Sequence, residues 1–178
     1  MHVAPLRWSD DILRRARWTN QPAPELGSLA RLVTCLVGCA LFYGAVMGSY
    51  RGLLGQSDWA WQMLYSAVKV PMLLGITFAI SLPSFFVLNS LLGLRGDFAK
   101  AVRSLLATQA GFAIVLAACA PLTLFWYAST TGYQWALLFN GGMFAVASIA
   151  SQNLLRRYYA PLIVRNPRHR QLLWWWTG

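Results

Sequence analysis

The stretch KVPMLLGITFAISLPSFFVLNSLLG (Lys69–Gly93) decides the fold of this protein, because it carries no charge after Lys69. An α-helix rises about 1.5 Å per residue, so about 20 apolar residues cross the roughly 30 Å hydrocarbon core of a bilayer. The stretch is long enough for that, and we predict a membrane-spanning helix. It also contains two prolines, an asparagine and several hydroxyl groups. It is therefore either a simple span or a broken span that handles a substrate.

The composition of the whole chain also indicates a membrane protein. Hydrophobic residues make up 57% of the 178 residues and charged residues only 11%, against roughly 25% in a typical soluble domain. The chain has 15 basic and 5 acidic residues, a balance that in a soluble protein would indicate nucleic-acid binding. Here the basic residues lie at the ends of the apolar runs, as they do in membrane proteins. We therefore predict no nucleic-acid partner.

Four apolar segments predict an all-α integral membrane bundle of four transmembrane helices. The stretch 104–155 has no charged residue and is too long for one span, and the turn-like STTGYQ (Ser129–Gln134) divides it. The predicted spans cover about 29–50, 70–94, 104–128 and 133–155. They form a transmembrane domain at 29–155, which follows an amphipathic cytoplasmic segment at 1–28 and precedes a basic, tryptophan-rich tail at 156–178.

The distribution of Lys and Arg predicts the orientation of this bundle. The N-terminal tail through Arg31 carries five basic residues, the three successive loops carry two, three and none, and the C-terminal tail carries five. Cytoplasmic segments carry the excess of basic residues. Both termini are therefore predicted to lie in the cytoplasm.

Both tails and the first loop are predicted to contact the membrane surface. Ser9 to Asp11 resemble a helix start, and the apolar strip of Ile12, Leu13 and Ala16 suits either a membrane surface or a partner protein. The aromatic DWAWQMLYS (Asp58–Ser66) predicts a short helix along the outer interface. The candidate interfacial and headgroup-binding residues are Arg14, Arg15, Arg17, Trp18, Trp59, Trp61, Lys69, Arg156, Arg157, Arg168, Arg170, Trp174, Trp175 and Trp176.

The C-terminal NPRHRQLLWWWTG has two interpretations. Its three tryptophans suit an anchor at the cytoplasmic interface, which we favour. The alternative is that Leu172 to Trp176 begin a fifth span. The basic residues of both tails are expected to attract anionic lipid headgroups, with about 1 kcal/mol for each Lys or Arg near the surface.

Chemical motifs are absent from the predicted spans. No ionisable residue lies in the middle of a span, where a functional charge would be expected, and His2 and His169 both lie in the tails. The chain has no HExxH, GxSxG or glycine-rich phosphate loop. Cys35, Cys39 and Cys119 are interpreted as small packing residues. We predict that the protein is not an enzyme and holds no metal or cofactor.

Packing residues take the place of these motifs. Gly44, Gly48 and Gly52 follow one another at every fourth position, which makes a groove where another backbone can approach closely. The occupant is either a neighbouring span or another protein. Polar side chains within the spans are expected to hydrogen bond across helices or with a partner, and the candidates are Asn89, Gln109 and Asn140.

Prolines are the second feature of the spans. Pro71 is expected in the first turn of span two, where its missing N–H costs nothing. Pro83 and Pro121 lie within spans and predict kinks, with Ser81 or Ser84 available to satisfy the carbonyl that Pro83 frees. Two kinked helices either shape a compact bundle or open a central cavity, as in transporters.

Three stretches resemble the bacterial Yip1-like multi-span membrane proteins. They are YGAVMGSYRG, SAVKVPMLLGITFAISLPSFFVLNSLLG and AACAPLTLFW, the last after a basic loop, and the similarity runs from about Tyr43 to Arg168. The resemblance implies a bundle of about five spans and no established enzymatic activity, and eukaryotic members of the family act as membrane-organising partners in vesicle traffic. We predict that this protein lies in the bacterial inner membrane. This chain departs from that pattern by stopping where the fifth span would begin.

These observations together predict a non-catalytic accessory or scaffold subunit of a larger membrane complex. It would dock by helix packing and interfacial anchors, with anionic lipid headgroups and other integral membrane subunits as partners. One alternative is a small transporter or permease component that uses the proline-kinked helices. Another is a membrane-shaping Yip1-like protein.

Overall fold

The protein is all-α throughout the part of the chain that the computed structural model describes, which confirms the all-α part of the predicted fold; the four spans and the amphipathic N-terminal helix stay predictions. The described residues are 9–10, 12–13, 26–53, 55, 57–91, 98–130 and 132–165. The helices are α1 (Leu26–Gly48), the short α2 (Tyr50–Leu53), α3 (Trp59–Leu91), α4 (Phe98–Ser129) and α5 (Tyr133–Arg165).

Three helical stretches are long and apolar enough to cross a membrane, namely Leu29–Gly52, Trp59–Leu91 and Phe98–Ser129. Helix α5 is equally long and carries no charge before Arg156. Its mean hydropathy is lower because it contains four amide side chains and, at its C-terminal end, three arginines: Gln134, Asn140, Gln152, Asn153, Arg156, Arg157 and Arg165. The number of four spans therefore stays a prediction.

Helix α3 begins well before the predicted second span. It starts at Trp59 rather than at residue 70, so the aromatic segment belongs to this long helix and does not form a separate interfacial helix. Neither glycine nor proline interrupts the chain between Trp59 and Val70, and nothing local ends the helix there. Trp59, Trp61 and Lys69 are all exposed.

The turn before α3 depends on backbone conformations outside the usual helical and extended regions. Gly55 has φ +67° and Asp58 has φ 65°. Glycine adopts this left-handed region without steric cost, and Asp is one of the few other residues that enters it readily. The Asp58 carbonyl then accepts the backbone N–H of Gln62 at 3.2 Å, which closes the first turn of α3.

Helix α1 lies at the centre of the arrangement. It packs on both α3 and α4, and α4 packs on α5 on its other side. Helix α3 makes few contacts with α4 and fewer still with α5. The four long helices thus follow the spatial order α3, α1, α4, α5, and the flanking α3 and α5 are left without direct packing against each other.

Small side chains allow α1 and α4 to approach closely. Ala40 on α1 and Ala107, Ala110 and Ala113 on α4 are completely buried in one cluster. Tyr43 and Phe85, each in a separate cluster, are the largest fully buried side chains among the described residues. Close contact between small residues is typical of helix association in membranes.

Two described residues of the N-terminal segment, Ser9 and Ile12, contact the helices of the bundle. Ile12 is 3% exposed within the α1–α4 cluster, and its carbonyl accepts a hydrogen bond from the Tyr158 hydroxyl. The Ser9 hydroxyl lies 3.7 Å from the Cys35 sulfur. The sequence predicted that the apolar strip contacts a membrane surface or a partner protein. At Ile12 the strip instead contacts the protein's own bundle. The interfacial candidates Arg14, Arg15, Arg17, Trp18, Arg168, Arg170, Trp174, Trp175 and Trp176 lie outside the described residues.

Two predicted proline features differ from the structure in detail. Pro71 lies inside α3 rather than in its first turn, because the helix begins at Trp59. The Ser81 hydroxyl donates to the Thr77 carbonyl at 2.7 Å, not to the Ala79 carbonyl that Pro83 frees. Pro83 and Pro121 both lie within continuous helices with exposed rings, and the kinks stay predictions.

Candidate functional site

The groove at Gly44 and Gly48 on α1 is filled by α3. A Cβ added at Gly44 would lie 2.5 Å from the Ser66 carbonyl oxygen, and one added at Gly48 would lie 2.6 Å from the Met63 Cα. Both distances are far inside van der Waals contact, so the two backbones touch directly. Gly52 instead faces the Trp59 ring, at 3.3 Å. Of the two predicted occupants, the structure shows the neighbouring helix.

Pro71 frees one of the backbone carbonyls that lie at this contact. A proline within a helix removes the hydrogen bond to the carbonyl four residues earlier, here that of Ala67. This carbonyl oxygen would lie 3.1 Å from a Cβ at Gly44, so it faces the α1 backbone. A Cα–H group at such a site is a weak donor to a carbonyl oxygen. The close approach places the α1 backbone beside the carbonyl that the proline has freed.

Asn140 on α5 is the centre of a buried hydrogen-bond network, which we call the asparagine network. Its side-chain oxygen accepts the Tyr43 hydroxyl at 3.1 Å. Its amide nitrogen donates to the Tyr127 hydroxyl and, at 3.0 Å, to the Ala136 carbonyl. The Tyr127 hydroxyl lies 3.5 Å from the Met47 carbonyl. Asn140 thus connects α1, α4 and α5, as predicted for an amide that bonds across helices.

A cavity of about 460 Å³ adjoins this network at the end of the bundle near α2, and we call it the tyrosine cavity. Tyr50 and Tyr127 meet edge to face with ring centroids 5.0 Å apart, and Tyr133 lies 6.2 Å from Tyr50. The remaining lining residues are Met47, Gly48, Arg51, Gln62, Ser66, Ala136, Leu137 and Asn140.

A second polar region, which we call the polar groove, lies between α3 and α5 with α4 as its floor. Two adjoining cavities of about 220 and 240 Å³ occupy it. Thr108, Gln109 and Ser151 line both of them. The other polar lining residues are Ser81, Ser148 and Gln152, and the apolar ones are Leu74, Phe78, Leu82, Leu105, Phe112 and Leu155.

The polar side chains of the groove differ in how they are satisfied. The hydroxyls of Ser81, Thr108 and Ser151 bond to carbonyls of their own helices, at 2.7, 2.9 and 2.8 Å. The amides of Gln109 and Gln152 form no hydrogen bond with any residue that the structure describes. The groove therefore presents two amide groups with unused donors and acceptors.

Aromatic residues separate the groove from the tyrosine cavity. The Phe144 ring of α5 lies 5.8 Å from Tyr43 and 5.9 Å from Phe112, measured between centroids. Along α5, the Phe144 ring of this aromatic cluster lies between Asn140, which lines the tyrosine cavity, and Ser148, which lines the groove.

Asn89, the third predicted amide, belongs to neither region. It is completely buried, and its amide nitrogen donates to the Phe85 carbonyl at 3.2 Å within its own helix. Its side-chain oxygen has no hydrogen-bond partner among the described residues. Asn89 therefore makes no bond across helices in the described structure.

The spacing of polar residues on α5 is a sequence signal for the groove. Ser148, Ser151 and Gln152 are spaced three and four residues apart, which places them on one face of α5. Gln109 is among the polar residues predicted to bond across helices, whereas Gln152, which lines the same groove from α5, is not. The sequence does not single out the tyrosines of the asparagine network, because single tyrosines within apolar segments are ordinary packing residues. Nor does it single out Arg51, which is one of two basic residues in the first loop.

No protein-family model, curated protein or solved structure matches the chain. The resemblance to Yip1-like proteins therefore stays a prediction. The chemistry that the geometry offers is hydrogen bonding and packing. Among the described residues, no group of three His, Cys, Asp or Glu side chains is placed to hold a metal ion.

Proposed function

We propose that the protein is a non-catalytic accessory subunit of a larger membrane complex, and that its polar groove binds a transmembrane helix of a partner. The occupant is a helix with side chains that donate and accept hydrogen bonds opposite Gln109 and Gln152. The proposal rests on the amides of Gln109 and Gln152, which form no hydrogen bond with any described residue.

The energetic argument depends on the surroundings of these amides. An amide without a hydrogen bond costs several kcal/mol in hydrocarbon, where no water satisfies it. The apolar surface around the groove supports a lipid environment, because large apolar side chains are exposed on each of the four long helices. Examples are Phe42, Ile80, Phe125 and Ile149, at 55, 71, 73 and 63% exposure. A polar partner helix would satisfy the amides and cover the groove.

A lipid environment around the helices also supports α5 as a fourth span, in a bundle with both termini in the cytoplasm. Helix α5 packs along α4, and its outward residues Leu137, Leu138, Val146 and Ile149 are apolar and exposed. The bacterial inner membrane, anionic headgroups at the basic tails and other membrane subunits remain parts of this proposal. The glycine series is not the docking surface in it, since α3 already occupies Gly44 and Gly48.

The proposal predicts that the double variant Gln109→Leu/Gln152→Leu loses its partner. Each hydrogen bond between helices in a membrane is worth about 1 kcal/mol, so two lost bonds weaken the complex roughly thirtyfold. The tagged protein is extracted from native membranes in a mild detergent, and the complex is resolved on a native gel. A single stoichiometric band is expected for the wild type, and its loss for the variant.

Asn153→Leu is the matched control, because it makes the same kind of change at an exposed amide adjacent to Gln152 that does not line the groove. A photo-crosslinker at Ser148 should react with a partner transmembrane segment, whereas one at Phe125 on the outer face of α4 should not. Equal recovery of the complex from both glutamine and asparagine variants would contradict the proposal, as would a wild type that migrates alone.

A small transporter is the second candidate, and the arrangement of the two polar regions favours it. The tyrosine cavity and the polar groove lie on opposite sides of the aromatic cluster, as expected for a pathway closed at its middle. In this case water, not a partner helix, satisfies Gln109 and Gln152. Saturable substrate uptake by purified protein in vesicles, altered by Phe144→Ala, would favour transport over the accessory role.

A further inference from the structure

The tyrosine cavity has a buried end and an exposed end of different chemistry. At the buried end, Ser66, Tyr127 and Asn140 are 8, 4 and 6% exposed. At the exposed end lie Arg51, Gln62 and Tyr133. Leu137 provides an exposed apolar wall on α5. A ligand that fits this space has an anionic polar group near Arg51 and an apolar portion beside Leu137.

Arg51 is the only charged residue among those that line the cavity. It forms no ion pair with a carboxylate in the described part of the chain. The guanidinium group carries a permanent charge, and its planar fork of N–H groups matches the oxygens of a phosphate in a bidentate geometry. The amide of Gln62 and the hydroxyl of Tyr133 add neutral hydrogen-bonding groups on the same rim.

The volume and position of the cavity agree with a phosphate-bearing ligand. About 460 Å³ lies within the range of ligand pockets in proteins, roughly 300–1,000 Å³. The cavity lies at the end of α1, at the start of α3 and at the start of α5. In a bundle that crosses a membrane, the helix ends lie at the level of the lipid headgroups.

We propose that the tyrosine cavity binds a phosphate group, with Arg51 as its anion-binding residue. The apolar wall at Leu137 favours the phosphate of a lipid headgroup over free phosphate. The site is separate from the polar groove, and its residues take no part in the proposed binding of a partner helix.

The test uses the full-length protein in a maltoside detergent, which contains no phosphate. A photoactivatable phosphatidylglycerol is added, and labelled peptides are identified by mass spectrometry. Labelling is expected in the segments 47–66 and 133–140, and unlabelled phosphatidylglycerol should compete for it. Arg51→Ala should reduce this labelling roughly tenfold or more, because a charge-assisted hydrogen bond is lost. Arg51→Lys should keep part of it, because the charge remains without the bidentate geometry.

A second pair of variants tests the cavity with Arg51 intact. Leu137→Trp places a larger side chain in the lining and should abolish the labelling, whereas Leu138→Trp changes an adjacent exposed leucine outside the lining and should not. Competition by inorganic phosphate equal to that by lipid would identify free phosphate as the ligand of the same site. Unchanged labelling in both Arg51→Ala and Leu137→Trp would overturn the proposal, as would the absence of labelling in the wild type.

Discussion

Gly48→Ala is expected to destabilise the bundle, whereas Gly38→Ala on the same helix is expected to leave it unchanged or slightly more stable. A Cβ at Gly48 would lie 2.6 Å from the Met63 Cα and 2.9 Å from the Gln62 carbonyl oxygen. Both are backbone atoms, so no change of rotamer relieves the clash and α3 must move away from α1. Overpacking of this kind typically costs about 1–3 kcal/mol.

The Gly38 control separates this clash from helix propensity. Nothing lies within 4 Å of a Cβ at Gly38, and alanine favours a helix over glycine by roughly 0.5–1 kcal/mol. Gly111 provides an intermediate case. A Cβ there would meet the end of the Leu154 side chain at 2.2 Å, which can rotate away.

Unfolding in mixed micelles with increasing dodecyl sulfate, followed by tryptophan fluorescence, measures these differences. The expected order of stability is Gly38→Ala, then Gly111→Ala, then Gly48→Ala. Gly44→Ala should resemble Gly48→Ala, because its Cβ would meet the Ser66 carbonyl oxygen at 2.5 Å. If Gly38→Ala and Gly48→Ala unfold at the same detergent composition, the direct packing of α1 on α3 is wrong.

Asn140→Leu is expected to cost about 2–3 kcal/mol of the free energy of unfolding. The change keeps the size of the side chain but removes the hydrogen bonds to Tyr43, Tyr127 and the Ala136 carbonyl. Leaving a buried polar group without a partner costs about 1–3 kcal/mol, and here the Tyr43 hydroxyl loses its bond to Asn140 while the Tyr127 hydroxyl loses one of its two contacts. The Tyr127 hydroxyl retains its longer contact with Met47, which limits the loss.

Asn153→Leu is again the control, since Asn153 is an exposed amide on the same helix. A double-mutant cycle with Tyr43→Phe tests the network itself. Tyr43→Phe should destabilise the wild type more than it destabilises Asn140→Leu, because the hydroxyl has already lost its partner in that background. Strict additivity of the two changes would show that the asparagine network contributes nothing as a unit.

The sequence determined those features that depend on local composition and on helical periodicity. Apolar segments of about 20 residues predict helices by length and hydropathy alone, and the structure contains a helix at each of the four predicted positions. The spacing of Gly44 and Gly48 likewise predicted a close approach between backbones. The start of α3 was not determined locally, because the aromatic segment before Val70 suits both a separate interfacial helix and a continuous one.

The tertiary structure decided which helix each polar or small residue faces. Asn140 and Gln109 have similar side chains within similarly apolar segments, yet Asn140 is enclosed by Tyr43 and Tyr127 whereas Gln109 lies in an open groove. The difference arises because α4 packs on α1 and α5 while α3 and α5 remain apart. Helical periodicity specifies the face on which a residue lies, but the helix opposite that face depends on how all four long helices pack together.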